Sequence, residues 1–198
     1  MTVKIEIGGM RNMEGWIALD NRSDSNFNII TDEIPVPDNS VEYLYMSHVI
    51  EHIPLSCSEN VIKKIFQKLT PGGKLRIVCP DLEVILQAYL KRDTSIFNNP
   101  AYQLGTVPQD YLRLGIGGCI VGQISTSILN DENDSYLFAK KSENSFQYIA
   151  TFSHVSGWDF EMLENLLRIC GFSKIERTQF EDIDPHKLLG QLCVNAYK

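Results

Sequence analysis

The stretch Val41-Glu42-Tyr43-Leu44-Tyr45-Met46 is followed by an apolar-striped segment from Ser56 to Leu69, and then by Lys74-Leu75-Arg76-Ile77-Val78-Cys79. The first piece and the last are rich in β-branched, aromatic and other apolar residues, a composition that suits strands. Between them Val61, Ile62, Ile65, Phe66 and Leu69 recur at helical spacing along one face. Ser56 is placed to cap this helix, Glu59 to complete a capping box, and Gly72 to follow its end. Strand, helix and strand joined through Pro71-Gly72-Gly73 predict a largely parallel α/β sheet.

The flanks extend the same pattern. Val3 to Ile7 alternates apolar and polar residues and meets Gly8-Gly9, a strand ending in a turn. Trp16 to Leu19 and Phe27 to Ile30 read as two further short strands, ending at Asp20 and near Asp32. Beyond the decisive unit, helices are expected over Leu82–Lys91 and from about Trp158 to Cys170, the latter with Ser156 as cap and Asp159 at the box position. Two strands follow, near 174–180 and 191–197. Residues 93–155 differ in texture: a polar, irregular insertion rich in Asn, Ser, Gly and Gln. A segment of that length inside one domain (1–198) is expected to be a lid or a binding element, with Tyr102, Tyr111, Tyr136 and Tyr148 as its aromatic contacts.

Length and composition agree with one domain. At 198 residues, roughly 70% of the unfolded chain's surface is buried on folding, so disulfides are not needed. Apolar residues make up 43% and charged residues 22%, and the net charge is −7. That charge disfavours a nucleic-acid partner. Leu112 to Ile124, the longest apolar run, is short of the ~20 residues of a membrane span and contains Arg113. No signal peptide is expected, because Lys4 and Glu6 interrupt the first apolar residues. Five scattered cysteines without a CxxC argue against a disulfide framework and a structural zinc site, and for a reducing cytoplasm.

In a parallel α/β sheet, ligands bind outside the carboxyl ends of the strands. Gly8, Asp20, Asp32, Ser47 and Asp81 fall at such ends. A glycine turn after the first strand lets a ligand approach the backbone. An acid ending the second strand can accept from both hydroxyls of a ribose, and an acid after the third can accept from an adenine amino group. The P-loop and GxGxxG patterns are missing; Gly115-Ile116-Gly117-Gly118 fails the latter at Ile120. The site therefore suits a nucleoside without phosphates. Asp81 is expected to cap the helix that it precedes.

The run from Asp32 to Ile53, which contains Met46-Ser47-His48-Val49-Ile50-Glu51-His52, resembles class I S-adenosylmethionine (SAM)-dependent methyltransferases, as does Leu69-Thr70-Pro71-Gly72-Gly73 through Pro80-Asp81-Leu82-Glu83. Ile5 to Gly9, Gly15 to Asp20 and His154 to Phe172 resemble a short, type 11-like subgroup of that family, so the likeness covers about two-thirds of the chain. It implies a Rossmann-like sandwich with a mostly parallel seven-stranded sheet whose last strand is antiparallel. It also implies SAM as cofactor and methyl transfer to an acceptor. Glu6 and Gly8 match the motif that approaches the methionine part of SAM. Asp20 matches the ribose acid, and Asp32 the adenine acid, with Glu33 and Ile34 supplying nearby backbone. Ser47 and His48 follow the strand that faces the methyl group. Gly9 belongs to the same turn as Gly8, and Arg11, by our own reading, pairs with the cofactor carboxylate. There are two departures: Met10 stands where the family's second motif glycine is expected, and only residues 8–15 join strands one and two. Eight extended residues span about 26 Å against about 17 Å for a five-residue strand, so a helix-free crossover is feasible, with that face of the sheet less covered.

A small-molecule or saccharide-type acceptor suits the charge. His48 and His154 are the candidate acid–base residues: one directly follows the fourth strand, the other precedes the closing helix. His52 is expected to pack or cap locally, and His186 to lie in a turn. Two rival readings stand beside this one. A degenerate, non-catalytic scaffold domain is motivated by Met10 and the short crossover. An HxxEH zinc hydrolase is spelled by His48 to His52, but Pro54 would end its helix at once. No metal is expected.

Overall fold

The computed structural model describes residues 2–8, 13–20, 27–95, 115–124, 140–142, 145–147, 154–184 and 190–198. In chain order the elements are β1 (Val3–Ile7), β2 (Trp16–Leu19), β3 (Val41–Ser47), a single 3-10 turn (Ile50–His52), α1 (Leu55–Lys68), β4 (Leu69–Pro80) and α2 (Leu82–Lys91). They continue with α3 (Gly115–Ile124), β5 (Lys140–Ser142), β6 (Ser145–Gln147), α4 (Phe160–Ile169), β7 (Lys174–Thr178) and β8 (Gln191–Tyr197). One six-stranded sheet runs in the order β2-β1-β3-β4-β8-β7. Strands β1 to β4 are parallel, and β8 lies antiparallel to both β4 and β7. This is the Rossmann-like α/β arrangement with an antiparallel last strand that the sequence implied.

The sheet has six strands rather than the expected seven, because Phe27–Ile30 is not a strand. Asn28 and Asp32 close a turn there instead. The Asn28 side chain accepts from Ile30 N (3.0 Å), its carbonyl accepts from Asp32 N (2.8 Å), and Asp32 Oδ2 accepts from Asn28 N (2.8 Å). Such local side-chain bonds compete with a strand ladder. Phe27 and Ile29 still bury their side chains in the core.

Alternation along the strands divides their side chains between two faces. On one, Ile5, Ile7, Leu44, Met46, Leu75, Ile77, Leu192 and Val194 join Val61, Ile62 and Ile65 of α1 and Leu163 and Leu167 of α4 in a single core. The other face is not apolar throughout. Tyr45, Val78 and Cys193 form a small cluster beside Met13, Trp16, Phe180 and Ile183. Next to it Arg76, fully buried, donates to Asp184, Asn195, Thr178 and Glu181.

The helix ends correct the sequence reading. The first helix begins at Leu55 after Pro54, whose carbonyl takes Cys57 N (2.8 Å) and Ser58 Oγ (3.2 Å); Ser56 does not cap it. Asp159, not Ser156, caps α4, accepting from Met162 N at 2.8 Å. Gly72 does take a positive φ (+77°), but inside β4, where its N–H meets Lys198 O at 3.0 Å. Asp81 caps α2 as expected, accepting from Glu83 N at 3.0 Å. Nor is the insertion irregular throughout. The glycine-containing run 115–124 is helical and packs on α2 with Ile116 buried, and β5 and β6 pair as a short antiparallel ladder. Tyr102, Tyr111, Tyr136 and Tyr148 lie outside the described residues. Among those described, Cys57, Cys79, Cys170 and Cys193 are free thiols, and no helix is long and apolar enough to cross a membrane.

Candidate functional site

Register brings the expected residues level. Ile7 pairs with Leu19 on one side and Met46 on the other, so Gly8, Asp20 and Ser47 leave three adjacent parallel strands at the same end. Gly8 N donates to Leu19 O at 2.9 Å. Its φ of +74° favours glycine, and so does its surroundings: a Cβ there would lie 2.3 Å from Val49 Cγ2. Gly8→Ala is therefore expected to lower stability by about 1–3 kcal/mol through overpacking, beyond the backbone strain. Urea unfolding of G8A, V49A and the double variant checks this. A favourable coupling above ~0.5 kcal/mol is expected, and strictly additive losses would show that Val49 is not what Gly8 makes room for.

Asp20 is 4% exposed and Glu6 is buried on the strand beside it. The Asp20 carbonyl receives Phe27 N at 3.0 Å, which starts the next turn. In that turn the Asp32 carboxylate accepts from Asn28 N and, at 3.0 Å, from Thr31 Oγ1. Lys64 Nζ donates to the carbonyls of Ile29 (3.2 Å) and Asp32 (2.5 Å), tying the turn to α1. Glu33 is exposed and Ile34 buried. Gly9, Met10, Arg11 and His186 lie outside the described residues.

His48 continues from β3 with φ +53° and its N–H on Val78 O at 2.8 Å. Its Nδ1 lies 2.9 Å from Glu51 Oε1, and its Nε2 lies 2.6 Å from Gln191 Nε2. Burial opposes the charged form of Glu51, but the bond to His48 and the nearby His52 and His154 outweigh it, and its pKa is lowered to about 2. An ionised carboxylate only accepts, so His48 Nδ1 carries the proton. For His48 itself, burial again works against charge and the contact with Glu51 prevails, raising its pKa. Gln191 serves either ring state. Its amide N–H meets the lone pair of a neutral imidazole; turned over, its oxygen would meet an imidazolium. That oxygen is otherwise buried without a hydrogen-bond partner among the described residues.

His48 and His52 do not share a helical face, as the hydrolase reading needs, because only the 3-10 turn Ile50–His52 lies between His48 and Pro54. The ring of His52 instead meets that of His154 edge to face at 5.0 Å. The sequence reading missed Glu51 and Gln191 as partners of His48; the signal for Glu51 was the spacing of three residues, and nothing local pointed to Gln191. Asp81, whose pKa burial raises, is held by Arg177 at 2.5 Å and by its helix. It belongs to the scaffold.

No protein-family model matches the chain, and no curated protein does. Solved structures do resemble it. A SAM-dependent methyltransferase, possible histamine N-methyltransferase, from Thermotoga maritima is 14% identical, with a TM-score of 0.49 over 100% of this chain and 83% of that one. The citrinin polyketide synthase CMeT domain is 12% identical (TM-score 0.49, 98% of this chain, 46% of that one). Human N-acetylserotonin methyltransferase, in complex with SAM, is 10% identical (TM-score 0.45, 100% and 40%). The chain thus spans less than half the length of the last two. The class I methyltransferase type of fold rests on the strand order and its one antiparallel member.

Proposed function

We propose that the protein binds SAM at the carboxyl ends of β1 to β3 and transfers its methyl group to a small-molecule or saccharide-type acceptor. The observation that carries this reading is the level placement of Gly8, buried Asp20 and Ser47 on three adjacent parallel strands. Gly8 lets the cofactor approach the backbone. Asp20 would accept from the ribose hydroxyls, and the turn Asn28 to Asp32 would flank the adenine, with Glu33 and Ile34 supplying backbone. Glu6 and Ser47 would line the methionine side; Gly9 and Arg11, expected to join them, lie outside the described residues. The sulfonium is already a good leaving group, so alignment and exclusion of water supply most of the rate. His48 and His154 stand on the acceptor side; the lid expected of residues 93–155 falls mostly outside the described residues.

The experiment is calorimetric titration with SAM of the wild type and of Asp20→Ala. Losing two charge-assisted hydrogen bonds should cost about 2–3 kcal/mol, a 30- to 150-fold weaker Kd. Unchanged affinity in a folded variant removes Asp20 from the site. No heat from the wild type would favour a scaffold domain without catalysis.

A further inference from the structure

Two stretches far apart in sequence converge just beyond the end of β3. A carboxylate oxygen of Glu51 and one ring nitrogen each from His52 and His154 lie within 4.8 Å of one another. We propose that these three side chains bind a divalent transition-metal ion of the zinc class.

Their convergence is built into the backbone. Val155 N and Ser156 N donate to the Glu51 carbonyl at 2.8 and 3.2 Å, and Ser156 Oγ reaches the carbonyls of Ile50 (3.2 Å) and Ile53 (3.1 Å). Trp158 Nε1 donates to Ser156 Oγ at 2.9 Å. The segment that starts at His154 is thus fastened to the turn that carries Glu51 and His52. A second, independent observation points to a cation. Glu51 is 1% exposed, Oε1 lies 2.9 Å from His48 Nδ1, and Oε2 is buried with no hydrogen-bond partner among the described residues. A buried carboxylate oxygen is costly unless a charge or a donor meets it.

The donor set selects the ion. Two imidazoles and one carboxylate suit Zn²⁺, Co²⁺, Mn²⁺ or Fe²⁺, whereas Mg²⁺ and Ca²⁺ prefer oxygen alone. Three protein ligands leave a position open for water or another oxygen ligand. Ligand atoms of a tetrahedral site lie about 3.4 Å apart, given bonds of ~2.0–2.1 Å, so the side chains would draw in by roughly 1 Å. His48 supplies the hydrogen bond that orients a ligating carboxylate. The HxxEH spacing therefore marks a metal site with the wrong pair of histidines: the partner of His52 comes from residue 154, not 48.

The proposal is tested without SAM, so it stands or falls apart from methyl transfer. Metal-free protein titrated with Co²⁺ at neutral pH should form a 1:1 complex with visible d–d absorption that Zn²⁺ displaces. His52→Ala and His154→Ala should weaken binding on the order of 100-fold or more, and His48→Asn by roughly 10- to 100-fold. Equal Co²⁺ affinity in the wild type, H52A and H154A, or no band at one equivalent, overturns the site. Should the alanine variants fail to fold, zinc K-edge spectroscopy of the wild type decides. Nitrogen and oxygen neighbours at ~2.0–2.2 Å support the site, and sulfur at ~2.3 Å overturns it. Intact Co²⁺ binding with no SAM binding would instead overturn the methyl-transfer reading alone.

Discussion

Arg76→Met should lower the free energy of unfolding by about 3–5 kcal/mol, the usual loss when one partner of a buried ion pair is removed. Arg76 is fully buried in mid-sheet and so is the Asp184 side chain that it grips through Nε (3.0 Å) and Nη2. Its other donors reach Thr178 Oγ1 (3.0 Å), Asn195 Oδ1 (2.9 Å), Glu181 Oε1 (3.2 Å) and the Gln179 carbonyl (3.1 Å). Tyr45 Oη and Glu181 N also donate to Asp184, and Lys74 Nζ donates to both Glu181 oxygens at 2.9 Å. Two cations and two anions thus balance across β3, β4, β7, β8 and the loop after β7. Removing the guanidinium strands Asp184 as a buried charge. Urea unfolding measures the loss; R76M within 1 kcal/mol of the wild type would show that the network is dispensable. The double variant R76M/D184L should be less unstable than the sum of the singles, because no charge is left behind.

In a methyl-transfer assay, His48→Asn and His154→Ala are each expected to keep SAM affinity within a few-fold while turnover falls by roughly 10²–10⁴. The basis is position. His48 directly follows the strand that ends beside Gly8, is oriented by Glu51 at 2.9 Å, and has a side chain 29% exposed at that end of the sheet. His154 meets the His52 ring edge to face, with Glu51 within 4.8 Å of both. A fall in SAM affinity matching the fall in turnover would place the histidines in the cofactor site. Full turnover in both would leave a catalyst that works by proximity alone.

Much of this architecture is legible in the sequence, because strand and helix periodicity is a local signal. Val3–Ile7, Trp16–Leu19 and Leu82–Lys91 fall where alternation and apolar spacing put them. The reading fails where a local bond competes with periodicity, as at Asn28 and Asp32. It fails again where glycine masks a helix that tertiary contact supports, as at Gly115–Ile124. At the helix starts, Ser56 and Ser156 have the right chemistry, but Pro54 and Asp159 occupy the positions that matter. Of the proposed site, Gly8, Asp20 and Ser47 are strand-end residues, so reading the strands places them at one end of the sheet. The Arg76–Asp184 pair and the Glu51–His154 approach bridge about a hundred residues of chain, and no window of sequence contains both members. For Arg76 there is one local hint. Leu75, Ile77 and Cys79 alternate onto the core face, which leaves two cations, Lys74 and Arg76, on the other face of a central strand.

The position of β8 bears on how the protein is made. This strand fills the slot between β4 and β7, yet it is synthesised after both. From Pro80 to Gln191 is 111 residues (191 − 80), so at ~5–20 residues per second the ribosome takes roughly 6–22 s to deliver the neighbour that β4 needs. Throughout that interval one edge of β4 offers its unpaired N–H and C=O groups, next to the apolar side chains Leu75, Ile77 and Cys79, to any passing strand. The core cannot close before Leu192, Val194 and Ala196 arrive, and closing so long a loop is slow. Slow synthesis through residues 81–190 therefore prolongs the exposure rather than helping the fold.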